Sequence, residues 1–506
     1  MSKNRTGSTK NGRFFFATVD CGGTYIKAAV YDNYGKQLGK AKHKNLTIAP
    51  EPAFSEYDQE RLWLIASNCI NNAITDANIK GEEICCISVC AQGSGFYAVD
   101  NDGKSIRNAI TSSDRRAQVI ADHWRENGIS EKIYKEIYRY PLSGHLSTIL
   151  RWLKENEPEN YGRIKYLFSM RDFLVFKMTG IAVSGSDCAS VSGLLNLNSM
   201  KFDPAVAGVL GLGEMSDKFG KLTSDTEICG PLSKEAASTC GCAEGTPVAM
   251  GAHDVIAAAV ALGICEDGQS FIVTGTHAIN GYISFDPVLD HIIKNNELYA
   301  IPGMYLIEEG YPSSSATLEW VIDTLKLKRN ERIYAEINEK ISRIPFERPC
   351  PYFLPYLKGN RDNPRIRCCF MDLCSEHSQE DLLRAVYEGV VFSHMIQLEY
   401  LFKSRKGGKP AVIKITGGAS KSDVWMQMFA DAMGIPVELV QEEESGAKGT
   451  AMLAAVAVGV YSNISEAYEN MKASSRILKP DISRYAPYQK KYERFKEFVK
   501  AVEALY

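Results

Sequence analysis

No stretch of this chain is apolar enough to cross a bilayer. The longest apolar runs, Ala257 to Cys265 and Ala451 to Val460, reach about half of the ~20 residues a spanning helix requires. An excess of charge is also missing: 58 basic against 61 acidic residues leave a formal net charge of −3. That near balance offers no electrostatic hold to nucleic acid or to an anionic membrane, so neither is expected as a partner. The first 12 residues are mostly Ser, Lys, Asn, Gly and Thr without an apolar centre. They do not make a secretory signal and are expected to form a disordered tail.

The 14 cysteines include no CxxC pair. They are scattered, and Cys85, Cys86 and Cys90 fall inside an apolar strand pattern. Free, mostly buried thiols are expected rather than a disulfide framework, and with them a cytoplasmic location. Cys240-x-Cys242, and Cys368-Cys369 with Cys374 and His377, lack the two well-spaced ligand pairs of a structural zinc. A GxxxxGK[ST] segment is absent as well, which sets aside P-loop nucleotide binding.

What is present is a chain of 506 residues, 45% hydrophobic and 24% charged. That is too long for one ordinary core, so two large domains or a bilobal protein are expected. Strand and helix patterns alternate, as in α/β architecture. Ile84 to Val89 and Gly95 to Val99 read as strands, and Thr148 to Glu155 and Ser315 to Leu325 as helices. Ser378 with Asp381 forms a capping-box pattern ahead of the apolar run Leu382 to Leu398. One motif repeats. Phe14 to Val19 leads into Asp20-Cys21-Gly22-Gly23-Thr24 and a second strand from Tyr25; Ser270 to Val273 leads into Thr274-Gly275-Thr276 and a second strand from Ala278. A strand, a small-residue turn and a strand in each half predict a duplicated domain. The best boundary lies near Gly263 to Gly268, giving a tail over 1–12 and lobes over 13–262 and 263–506.

The turns carry the first chemical hint. Asp20 to Thr24, Thr274 to Thr276 and Gly417-Gly418-Ala419 each follow an apolar strand. At such turns the backbone can approach an anion and point its N–H groups at it. Asp20 is either a turn residue bonding its own backbone or a carboxylate holding waters of a nucleotide-bound Mg²⁺. Lys27 either reaches the phosphates or points to solvent. In Gly251-Ala252-His253-Asp254, a strand from Thr246 to Met250 gives way to an Ala-rich helix, with Asp254 placed as its N-cap. A helix N-terminus keeps a carboxylate ionised, and an ionised carboxylate beside phosphate-holding turns can serve as base in phosphoryl transfer to a hydroxyl. His253 is either a substrate contact or a packed loop histidine. Gln92, followed by Gly93, offers both a donor and acceptors to a polyhydroxylated ligand.

Together these segments resemble the FGGY family of carbohydrate kinases, from about Phe15 to Tyr492. The likeness is carried by Asp20-x-Gly22-Gly23-Thr24, Ala91-Gln92-Gly93, Asp114-x-Arg116-Ala117, Gly251-x-x-Asp254, Gly275-Thr276, Pro355-Tyr356-Leu357-x-Gly359-x-Arg361 and, most specifically, Gly417-Gly418-Ala419-x-x-Ser422-x-x-Trp425-x-Gln427-x-x-Ala430-Asp431. Within the family, Ser112 to Arg116, Leu150 to Glu155, Tyr387 to Met395 and Ser422 to Met428 are worded like the L-xylulose kinases.

The resemblance implies a two-lobed, actin-like (ribonuclease H-like) ATPase fold, a duplicated α/β domain with central mixed sheets and a cleft between lobes. It implies a first lobe for the sugar and catalytic base and a second for the nucleotide. ATP and Mg²⁺ are the implied cofactors and a small sugar the implied partner; a homodimer is the candidate assembly. Asp254 is implied as base and, with Asp20, as a holder of Mg²⁺ through water. Gly22, Gly23, Thr24, Gly275 and Thr276 are implied at the phosphates, and Gly417, Gly418, Ser422 and Gln427 around the adenosine. Gln92, Gly93 and His253 are the candidate sugar contacts and Lys27 a candidate phosphate contact on the reading of the residues themselves.

The departures bear on specificity. Ser112 stands where many members have tryptophan, His277 replaces a common serine, and Gln92-Gly93-Ser94-Gly95 differs from the Gln-Met-His-Gly of many D-xylulose kinases. The expected reaction is therefore ATP-dependent phosphorylation of a ketose at its terminal hydroxyl, L-xylulose first. The competing substrates are 3-keto-L-gulonate, D-xylulose, glycerol or another polyol. The competing class is an actin-like or chaperone-like ATPase acting on a protein partner.

Overall fold

The computed structural model describes residues 12–506 except Thr276, Pro312 and Asp362. The expected tail thus lies, up to residue 11, outside the described residues. The chain forms two compact units, and neither is one continuous stretch. The first takes the chain up to Cys265, then Phe285–Leu306 and Glu444–Lys472; the second takes Glu266–Ser284, Ile307–Glu443 and Ala473–Tyr506. A single cut at 262/263, the sequence expectation, misses these returns, because the segments that return carry no composition shift to mark them.

The first unit is built on a mixed sheet. Its strands run in the order Ile228–Pro231, Pro247–His253, Ile84–Ala91, Phe15–Cys21, Tyr25–Asp32, Gln37–Lys44. Phe15–Cys21 pairs antiparallel with Tyr25–Asp32 and parallel with Ile84–Ala91, which is in turn parallel to Pro247–His253. The central strands are buried on both faces, as in a sheet covered on both sides; Val19, Ile87, Val89 and Val248 are wholly buried on one face, and Phe16 and Cys86 with the polar Thr18 and Ser88 on the other.

The second unit repeats the plan. Ser270–Thr274 pairs antiparallel with Ala278–Ser284 and parallel with Ile413–Thr416, which is parallel to Val437–Val440 and followed by the antiparallel Ser475–Leu478. The two hairpins that echo each other in sequence therefore hold equivalent positions in their own sheets. The capping box at Ser378 starts the helix Gln379–Ser404 as expected. Among the described residues, no helix is long and apolar enough to cross a membrane. All 14 cysteines are free and eight are buried, and no group of metal-ligating side chains large enough for an ion occurs among the described residues.

Candidate active site

In the first unit three parallel strands end at one level. Cys21 stands beside Ala91, and Ala91 beside His253. In open α/β sheets the carboxyl ends of strands are where ligands gather. Asp20, the Gln92-Gly93 turn and Asp254 all lie at this edge.

Asp254 arrives there through a bulge. The pairing of Pro247–His253 with Ile84–Ala91 slips between Ala249 and Ala252, and Gly251 takes φ +72°. A Cβ at Gly251 would lie 2.1 Å from the Val89 carbonyl oxygen, so no other residue fits. Bulges of this kind re-aim side chains next to active sites. The strand therefore runs three residues further than the sequence predicts. His253 takes the N-cap place expected for Asp254, which becomes the first residue of the helix Asp254–Ala261. The Asp254 side chain is half exposed, and its Oδ1 accepts the Val255 N–H at 2.9 Å.

His253, by contrast, is buried. Its Nε2 lies 3.1 Å from Glu297 Oε1 and its Nδ1 3.5 Å from Asp254 Oδ1. Burial alone would strip the imidazole of its proton, but the Glu297 carboxylate, with those of Asp254 and Asp187, holds its pKa well above the ordinary value. Beneath it, the His253 N–H donates to Asp187 Oδ2 at 2.8 Å, and Arg171 Nη1 donates to the same oxygen at 2.8 Å and to the Gly251 carbonyl at 3.0 Å. Arg171, Asp187 and Asp225 are all fully or almost fully buried. Burial and the neighbouring Asp187 push the pKa of Asp225 well above the ordinary carboxylate value, whereas Arg171 outweighs burial and holds that of Asp187 below it. One guanidinium thus underpins the loop that carries Asp254.

Asp20 is the last residue but one of the strand Phe15–Cys21, opposite Lys27 and beside Cys90. Burial, then the Asp254 carboxylate, raise its pKa to about 6 against the pull of Lys27. Lys27 neither reaches outward nor stands free: its Nζ pairs with Glu444 Oε2 at 2.8 Å. Glu444 precedes the helix Ser445–Ala457, which returns late in the chain to pack on the first unit. A Cβ on Gly446 would stand 2.8 Å from Asp20 Oδ2 and 3.3 Å from Cys90 Sγ. Gly446→Ala is therefore expected to displace the Asp20 carboxylate while helix propensity, which favours alanine by about 1 kcal/mol, protects the fold. Turnover should fall by about tenfold with an unchanged thermal midpoint; steady-state rates beside a melting curve check this.

The turn after Asp20 is tight. Gly22 N–H donates to the Tyr25 carbonyl at 3.0 Å, and Asn45 Nδ2 and the Tyr57 hydroxyl donate to the carbonyls of Gly22 and Gly23 at 3.0 and 3.2 Å. Gly23 and Thr24 are left exposed. Gln92 Oε1 accepts from Ser112 Oγ at 3.4 Å. Gly93 lies against the imidazole: a Cβ there would be 3.3 Å from His253 Cγ.

In the second unit, Gly417 has φ +106°, and a Cβ on it would stand 2.5 Å from the Thr274 carbonyl oxygen. This places the Gly417 turn against the strand end that leads into Gly275. Ser315 Oγ, overlooked in the sequence, donates to the carbonyls of Thr274 and Gly275 at 3.1 and 2.9 Å. Gly418 is exposed with open space around its Cα. Ser422 caps the helix Asp423–Met433 and donates to Asn338 Oδ1 at 2.7 Å; Gln427 Nε2 donates to the Lys479 carbonyl at 2.9 Å. Thr276 lies outside the described residues.

Comparison with known proteins gives a consistent result. Residues 15–261 match the N-terminal domain of the FGGY family of carbohydrate kinases, and residues 270–458 its C-terminal domain. The chain is 34% identical to the L-xylulose/3-keto-L-gulonate kinase of Escherichia coli (strain K12), over 97% of this chain and 98% of that protein. It is 32% identical to a probable L-xylulose kinase of Pasteurella multocida, over 97% and 99%. Its fold matches a ligand-bound xylulose kinase from Lactobacillus acidophilus with a TM-score of 0.88 at 23% identity, covering 97% of this chain and 98% of that one.

Proposed function

Since this chain belongs to the FGGY family of carbohydrate kinases, and so transfers phosphate from ATP to a sugar, we propose that its sugar is L-xylulose, phosphorylated at the terminal O5. The observation that carries the chemistry is the Asp254 carboxylate, half exposed at the end of three parallel strands and held by a bulge, a helix start and a buried scaffold. The sugar assignment is supported by likeness to relatives that carry that name.

Asp254 accepts the proton of the sugar hydroxyl. The freed oxygen pair forms the bond to the γ-phosphorus as the bond to the leaving ADP oxygen breaks. Gln92 and Gly93, beside the base, orient the sugar. Each unit taken by itself offers backbone turns suited to phosphate: Gly22, Gly23 and Thr24 in the first, and Gly417 with the exposed Gly418 in the second. Two carboxylates that oppose each other's charge form an all-oxygen donor set, which suits Mg²⁺ held through water; the ion, when bound with ATP, neutralises charge on the phosphates. Free thiols throughout and a need for ATP support a cytoplasmic location.

The test is ADP release with ATP alone and with L-xylulose, 3-keto-L-gulonate, D-xylulose or glycerol added. L-Xylulose is expected to give the highest kcat/KM. A higher value for 3-keto-L-gulonate or D-xylulose overturns the sugar assignment, and a rate indifferent to every sugar overturns the kinase mechanism.

A further inference from the structure

Resting on the reading of Asp254 as base, we propose that Glu297 and His253 form a positioning pair that fixes the Asp254 carboxylate so that Oδ2 receives the proton. Glu297 comes from the stretch matched to the C-terminal domain, yet the chain carries it into the first unit. There it is 1% exposed, a costly place for a carboxylate unless a partner compensates it. Its Oε1 meets His253 Nε2 at 3.1 Å, and the opposite edge of the same ring lies 3.5 Å from Asp254 Oδ1.

The ring has little freedom to turn. Gly93 lies against one side of it, and the His253 backbone is tied to Asp187. The strand that bears Glu297 is pinned in turn: the Leu298 N–H donates to Ser190 Oγ at 3.1 Å, Arg139 Nη2 donates to Asn295 Oδ1 at 3.2 Å, and Asn296 Nδ2 donates to the Val288 carbonyl at 2.9 Å. Asp254 Oδ1 is thus held between the Val255 N–H and His253. The remaining oxygen of this half-exposed side chain is the one presented to a substrate. An outer group that orients an inner one in this way secures the sub-ångström placement that proton transfer needs.

The test compares Glu297→Leu, Glu297→Gln and His253→Gln in the full-length enzyme by kcat, KM for sugar and ATP, and thermal midpoint. Glutamine at 297 still offers an oxygen to Nε2–H, so E297Q should stay within about threefold of wild-type kcat, whereas E297L should lose about tenfold or more, with the KM for ATP within about twofold. H253Q keeps the arm toward Glu297 and loses the one toward Asp254; it should fold with a wild-type midpoint and lose kcat as E297L does. An H253Q enzyme at wild-type kcat overturns the pair whether or not E297L folds, and so does E297Q falling as far as E297L. Wild-type protein without sugar-dependent turnover would instead reject the reading of Asp254 itself.

Discussion

Asp254→Asn should remove sugar phosphorylation and leave the protein folded with its nucleotide affinity intact. A positioned general base contributes about 10²–10⁴ in rate, so a fall of roughly a thousandfold in kcat is expected. The exchange is isosteric, and the side chain is half exposed, so no core contact is lost. The asparagine oxygen can still accept from Val255, which keeps the start of the helix. What disappears is the capacity to take a proton. Calorimetric ADP affinity within about twofold of wild type, alongside the lost turnover, would separate chemistry from binding, since an interaction made only in the transition state lowers kcat without touching ground-state affinity. Retention of a tenth or more of the rate would show that the proton goes elsewhere.

The largest effect on stability is expected at Arg171. Arg171→Leu leaves Asp187 without its guanidinium, and Asp172, whose pKa burial raises and Arg171 lowers, without its nearest positive charge. Breaking a buried pair by removing one partner costs about 3–5 kcal/mol, a large part of the ~5–15 kcal/mol that holds a typical protein folded. Urea unfolding should show the midpoint falling accordingly. The double variant Arg171→Leu with Asp187→Leu should recover part of the loss, because the uncompensated charge is gone. Gly185 belongs to the same arrangement: a Cβ there would stand 1.6 Å from Arg171 Nη2, so even alanine displaces the guanidinium. Because Arg171 also bonds the Gly251 carbonyl, activity is expected to fall before the fold does.

The parts of the site that were legible in the sequence are local ones. A strand ending in glycines announces itself, as does an acid at the junction of a strand and an Ala-rich helix, and both hairpins and the Ser378 cap lie where the residues put them. Asp254 was misplaced by one position because a bulge is a matter of register between strands, and register is set by partners far away in the chain. Glu297, Glu444, Gly446 and the Arg171–Asp187–Asp225 group gave no such signal. Each looks like an ordinary strand, loop or helix residue until the fold brings it beside a distant partner. Lys27 shows the same limit from the other side, since its partner Glu444 is 417 residues away.

The broken course of the first unit sets the order in which the protein can be made. Until Ala457 has left the ribosome, the helix Ser445–Ala457 that packs beside Asp20 is incomplete, and until residue 297 emerges Glu297 is missing. The base and its neighbours are therefore assembled late in synthesis, and a nascent chain that has completed the whole first sheet still lacks a finished catalytic edge.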